Sequence, residues 1–212
     1  MRWKSGRRSE HVDDRRGQHA SPLKIGGGLG SLVIILIALY FGIDPAILLQ
    51  PGPTSSQVGS ARPPQSAQDN TLADFVSVVL ADTEDTWQVL FQQQGQQYQK
   101  PTLVLFSDAV RSACGFAQAA VGPFYCPADQ KVYIDLSFYE DLKQRHQAPG
   151  DFAQAYVIAH EIGHHVQNLL GISSRVHQRQ QQLSQTEANQ LSVRLELQAD
   201  CLAGIWAHQA DK

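Results

Sequence analysis

The segment His160-Glu161-Ile162-Gly163-His164 constrains this chain more than any other. On an α-helix, residues i and i+4 lie one above the other on one face. Two imidazoles placed so can close on one metal ion. Glu161, about 100° further round the helix, can reach a water bound to that ion. Zinc held by three protein ligands brings the pKa of its bound water down to about 7. The chain must therefore supply a helix here, a third ligand elsewhere, and packing that brings the two together.

The flanking residues predict that helix. Asp151 with Gln154 reads as an N-cap and capping box directly after Pro149-Gly150. Ala155, Tyr156, Ala159, Ile162, Val166 and Leu169 then recur at helical spacing, and Gly171 is a natural stop. Gly163 costs about 1 kcal/mol against alanine inside a helix. A glycine is expected there where a neighbouring backbone or the metal site must come close.

The third ligand should lie downstream. A metzincin-type extension would need a glycine and then a histidine at the positions held by Gln167 and Leu170, so it is excluded. A second helix opens at Ser184 with Glu187 as its capping box, followed by an apolar stripe through Ala188, Leu191, Leu195, Ala199, Leu202 and Trp206. Glu196 and Asp200 stand one turn apart beside that stripe. Carboxylates near a buried face are costly unless paired or metal-bound. Glu196 is thus the expected third ligand, and Asp200 the acceptor for the outer N–H of a ligating histidine. On this helix alone, the pair would read as two solvated acids.

Together these residues resemble a known family. The run from His160 through His164 to His165-Val166-Gln167-Asn168, followed by Glu196-Leu197-Gln198-Ala199-Asp200-Cys201-Leu202-Ala203-Gly204-Ile205-Trp206-Ala207, is similar to the bacterial neutral zinc metallopeptidases, membrane-anchored proteins of the zincin superfamily. Ala113-Cys114-Gly115-Phe116, Gly122-Pro123-Phe124-Tyr125-Cys126-Pro127, Val132 to Phe138 and the opening Met1-Arg2-Trp3 carry the same resemblance. It covers nearly the whole chain. It implies one Zn2+ ion held by His160, His164 and a carboxylate, with Glu161 catalytic. Family members usually continue beyond the point matching Lys212, so the resemblance also implies either a fragment or a shortened form, with the further part able to supply a cleft wall or a transition-state-stabilising side chain.

Residues 25–43 carry no charge and are dominated by Leu, Ile, Val and Gly. As a helix they would span about 28 Å, close to the hydrocarbon thickness of a bilayer. Arg2, Lys4, Arg7, Arg8, Arg15, Arg16 and Lys24 precede them, against three acidic residues. The charge bias predicts a basic cytoplasmic tail (1–24), a single-pass inner-membrane anchor (25–43) and an extracytoplasmic, periplasmic domain. A cleaved signal peptide is the competing reading. It would want a shorter apolar stretch and a small-x-small cleavage site, which is not evident after Ile43. Residues 44–70 are rich in Pro, Ser, Gln and Gly and read as a flexible linker.

The folded domain is expected at 71–212. Residues 71–93 show a helical stripe of Leu72, Phe75, Val76, Val79, Leu80, Trp87, Leu90 and Phe91. Thr102-Leu103-Val104-Leu105-Phe106 reads as an apolar strand, and residues 131–138 alternate as a half-buried one. Helix, strands, metal helix and carboxylate helix fit an α+β, zincin-like metalloprotease domain. There an edge strand beside the metal helix takes an extended peptide as one more strand. Residues 131–138 are the candidate edge.

Cys114 and Cys126 bracket a Gly- and Pro-containing loop and outside the cytoplasm would form a disulfide. A structural zinc site would want two close pairs of ligands, which are lacking. Cys201, among apolar residues, is expected to be a buried free thiol. His165 points away from the ion and suits packing or hydrogen bonding; His177 and His208 have no assignable role.

The chemistry expected is zinc-dependent hydrolysis of a peptide or protein substrate, with Glu161 as general base. A catalytically inactive, zinc-stabilised binding or scaffold domain is the alternative, and amide bonds of cell-wall peptide are a further possible target. The net charge of −3 and pI near 6.2 give no support for nucleic-acid binding.

Overall fold

The computed structural model describes residues 3–17, 66–118, 122–145 and 150–210. In chain order they form β1 (Val12–Asp14), α1 (Ala67–Gln93), β2 (Thr102–Phe106), β3 (Ala109–Ser112), β4 (Gly115–Gln118), β5 (Phe124–Cys126), β6 (Lys131–Asp135), α2 (Ser137–Arg145), α3 (Asp151–Leu169), α4 (Ile172–Gln180) and α5 (Gln185–Ala210). The architecture is mixed α+β.

A four-stranded sheet in the order β1-β2-β6-β5 organises the domain. β1 runs parallel to β2 and β2 parallel to β6, while β5 is antiparallel to β6. Alternation along the two central strands divides the core. Leu103, Leu105, Val132 and Ile134 join Phe75, Val79, Leu80, Ile158, Ile162 and Trp206 from the helices. Val104, Phe106 and Tyr133 point to the opposite face, with Val110 and Cys126. The β3–β4 hairpin carries Cys114 in its turn, and the Cys114–Cys126 disulfide fastens it to the end of β5.

Three sequence expectations change here. The strand expected over 131–138 ends at Asp135 and is buried on both faces, because it is central. Asp135 terminates it by accepting the Ser137 and Asp108 amides, at 2.9 and 2.7 Å, and Ser137 then opens α2. The sheet edge beside the metal helix is therefore β5, three residues long, and not residues 131–138. Cys201 is exposed. The buried side of α5 runs through Ala199, Ala203 and Trp206, which leaves Cys201 with Leu197 and Ile205, one turn away on either side, facing outward.

The domain boundary differs as well. Ser66 caps α1 through a capping box with Asp69, so residues 66–70 are helix start and not linker. Residues 3–17 belong to the same compact unit as residues 66–210, with β1 as one edge of the sheet. Among the described residues no helix is long and apolar enough to cross a membrane. The apolar run at 25–43 lies outside the described residues.

Candidate metal centre

Helix α3 carries the histidine pair. Its N-cap is Gly150, in extended conformation and with no side-chain cap, so Asp151 is the first helical residue instead of the cap. A carboxylate in the first turn complements the helix dipole there. Ala155, Ile158, Ala159, Ile162 and Val166 bury one side of α3 in the core. His160 and His164 emerge one turn apart, with ring centroids 4.8 Å apart and planes at 86°. Leu169 is the last helical residue, and Gly171 turns the chain at φ 68°.

Helix α5 crosses α3 at Gly163, where a Cβ would lie 2.9 Å from the Ala199 carbonyl oxygen. The missing side chain lets the backbones meet and brings Glu196 and Asp200 over the histidines. Ser184 and Glu187 cap this helix as a reciprocal box. Trp206 anchors its far end, buried and donating to Asp82 at 2.8 Å.

The resulting donor set is compact. His160 Nε2 and His164 Nε2 are 3.1 Å apart. Glu196 Oε2 lies 3.2 Å from the first and 3.3 Å from the second. A tetrahedral cation with bonds of about 2.1 Å separates its ligand atoms by about 3.4 Å, so this near-equilateral triangle has the right size. Among the described residues, His160, His164 and Glu196 form a group that could hold a metal ion.

The outer nitrogens decide the protonation. His160 Nδ1 is 2.9 Å from Asp200 Oδ1, and an ionised carboxylate only accepts, so Nδ1 carries the proton. Tyr156 steadies Asp200, its hydroxyl 3.2 Å from the Asp200 carbonyl and 3.3 Å from Oδ1. His164 Nδ1 is 2.9 Å from Gln167 Oε1. The Gln167 amide nitrogen donates to Leu195 O at 2.7 Å and to Gln198 at 3.1 Å, which turns its oxygen toward His164. With both Nδ1 atoms donating, a neutral ring turns its Nε2 lone pair toward the cluster. Two such lone pairs and a carboxylate oxygen at this spacing form a set that a divalent cation would bind.

Glu161 is buried against this cluster. Burial pushes its carboxyl up to about 7, against the pull of His164, with Glu196 adding to the rise and the Tyr125 backbone N–H opposing it. A cation among the ligands acts in the same direction as His164 and favours the carboxylate.

Behind Glu161 lies a polar lattice that spacing alone does not reveal. His165 is fully buried; its Nε2 donates to Gln99 O at 2.6 Å, so Nδ1 accepts from the Tyr125 hydroxyl at 3.0 Å. Burial keeps this histidine below its ordinary pKa, against the pull of the Gln99 carbonyl. Asn168 also donates to Tyr125 Oη, at 3.1 Å. These contacts fix β5 against α3. Gln167 sits three residues after His164 on the same helix face, but its contact to Leu195 has no signal in the sequence. Tyr125 and Tyr156 carried no signal either. His177 is exposed on α4 and His208 is exposed near the end of α5.

Comparison with known proteins gives the family. Residues 1–212 match the family model described as "Putative neutral zinc metallopeptidase". The chain is 49% identical over 217 residues to "Uncharacterized protein YpfJ" of Escherichia coli (strain K12), covering 98% of this chain and 75% of that one. It is 40% identical over 177 residues to "Uncharacterized protein Rv2575" of Mycobacterium tuberculosis (strain ATCC 25618 / H37Rv), covering 82% of this chain and 59% of that one. No solved structure matches. The chain belongs to the neutral zinc metallopeptidase family that this model describes.

Proposed function

We propose that this domain is a zinc-dependent peptidase that hydrolyses peptide bonds of an extended substrate, with His160, His164 and Glu196 holding one Zn2+ ion. The observation that carries the proposal is the converging triangle of two imidazole nitrogens and a carboxylate oxygen, each imidazole fixed by a partner on its outer nitrogen. Zinc held there supplies Lewis acidity, polarising a carbonyl and lowering the pKa of a bound water.

The remaining roles belong to the chain's own groups. The Glu161 carboxylate takes a proton from the attacking water and delivers it to the leaving amine nitrogen. Its buried setting raises its basicity, as a general base at neutral pH requires. Asp200 and Gln167 hold the imidazole tautomers. β5 is an edge strand of the sheet among the described residues, and its Tyr125 N–H faces Glu161. A peptide laid along β5 as a fifth strand would run past the site. The Cys114–Cys126 disulfide supports an extracytoplasmic, periplasmic location for the domain. Membrane attachment through residues 25–43 is part of the proposal and rests on sequence alone.

The test uses purified full-length protein, metal analysis, and casein and peptidoglycan peptides as separate substrates, with and without chelator. Glu161→Gln should abolish turnover and keep zinc; Glu196→Ala should lose zinc. Bound zinc with no turnover of either substrate by the unmodified chain would favour the scaffold alternative. Undiminished zinc content in Glu196→Ala would overturn the ligand set.

A further inference from the structure

We infer that residues 3–17 are a built-in strap of the metal domain and lie on the same face of the membrane as that domain.

The strap is integrated at every level of the fold. β1 pairs with β2 in the register Val12↔Leu103, Asp13↔Val104, Asp14↔Leu105. Leu103 N donates to His11 O and Arg15 N to Leu105 O, both at 2.8 Å. Trp3 packs edge-on to Phe75 at 5.3 Å. Gly6 lies so close to α1 that a Cβ would meet Val78 Cγ1 at 2.5 Å.

One buried charge makes the strap obligatory. Glu84 on α1 has a fully buried side chain. Its partners are Arg7 at 3.0 Å, Ser9, His11 at 3.0 Å and Lys100 at 3.4 Å. Without the strap, three of these four vanish and the Glu84 carboxylate keeps only Lys100, at 3.4 Å. A buried charge that loses its partners is strongly destabilising. The domain therefore needs the strap wherever it folds.

The topology follows. Hydrogen bonds of 2.8 Å cannot form across a hydrocarbon layer of about 30 Å. A single crossing by residues 25–43 would put β1 and β2 on opposite faces. The arginines that suggested a cytoplasmic tail have another role: Arg7 pairs with Glu84 and Asp85, Arg8 with Asp74, Arg15 with Asp13 and Arg16 with Asp14. Charges engaged in this way are part of the fold, and the charge-bias rule counts them as though they were free. The proposal replaces the single-pass arrangement expected from sequence and is independent of the peptidase assignment.

The test is thiol accessibility in the full chain expressed in a bacterial host, with Cys201→Ala removing the exposed native thiol. Ser5→Cys and Ser174→Cys, both at exposed positions, are labelled singly with a membrane-impermeant maleimide, on spheroplasts and after permeabilisation. Both thiols reacting on spheroplasts, or both only after permeabilisation, is the expected result. One reacting outside and the other only after permeabilisation would overturn it. Hydrogen exchange on the detergent-solubilised chain gives a second reading: the Leu103 and Arg15 amides should be protected, and free exchange at both would equally overturn the strap.

Discussion

A Cβ placed on Gly163 would stand 2.9 Å from the Ala199 carbonyl oxygen and 3.2 Å from its Cα. Both contacts are to backbone, so no rotamer change can relieve them. Gly163→Ala is expected to push α5 away from α3 and to carry Glu196 and Asp200 with it. Overpacking of this kind costs about 1–3 kcal/mol. The gain in helix propensity, about 1 kcal/mol, does not offset it at the upper end. Thermal melts should show lower stability, and competition with a chromophoric chelator should show weaker zinc binding. A variant with unchanged zinc affinity would mean that the helix crossing does not set the ligand geometry.

Gln167 joins the two helices chemically, its oxygen on His164 and its nitrogen on Leu195, the residue before Glu196. Gln167→Leu removes both contacts and frees the His164 tautomer. Loss of an outer hydrogen-bond partner typically weakens metal binding about 10–100-fold. Gln167→Glu keeps the acceptor on His164 and loses the donor to Leu195, so it should retain most of the affinity. Equal losses in the two variants would assign Gln167 to helix packing instead of tautomer control. Cobalt-substituted protein offers a spectroscopic readout of the same distinction.

The contrast between Gln167 and Glu196 bears on how far the sequence could be read. The histidine pair, Glu161 and the helix around them are local, periodic signals within a single turn or two, and they are legible. Glu196 and Asp200 stand out because two acids flank an apolar stripe, and the structure brings both to the histidines. Gln167 is equally local, yet its role depends on a carbonyl 28 positions away, and no spacing rule encodes that. β1 was hidden for a stronger reason. Val-Asp-Asp shows no apolar alternation, and its partner lies some ninety residues later across a long intervening segment. Charge bias then read its arginines as free, while their carboxylates lay partly on a distant helix. The end of β6 was missed because Asp135 accepts two amides, a turn signal that alternation masks.

The strap gives the domain a distinctive acid response. Burial alone would raise the Glu84 carboxyl, but hydrogen bonds from Ser9 and Arg7, with the charges of Lys100 and His11, outweigh it and leave it below the ordinary value of 4.5. A group whose folded pKa is depressed contributes stability above its unfolded pKa, and that contribution is lost as pH falls through the folded value. Stability should therefore decline as pH drops below about 4.5, as the unfolded state takes up the proton first. Glu84→Gln should be less stable than the native chain at neutral pH, and its stability should fall less steeply on acidification. Denaturant melts at stepped pH values measure both slopes. Parallel slopes would show that Glu84 does not couple the strap to folding.

The disulfide ties the β3–β4 hairpin to β5 and not to the ligand helices. Its sequence separation of 12 closes a short loop. The chain-entropy model gives such a loop about 3 kcal/mol of stabilisation. Replacing Cys114 and Cys126 together by alanine should lower the melting temperature accordingly, with a further cost from the buried Cys126 position. Zinc content should hold, because His160 and His164 sit on α3 and Glu196 on α5. What should change is β5, since Cys126 adjoins the Tyr125 whose hydroxyl meets His165 and Asn168. Faster amide exchange in β5 and a higher KM at near-normal zinc occupancy are the expected signature. If the double variant instead loses its zinc, β5 helps hold the metal site together, and the division between a substrate edge and a separate ligand pair fails.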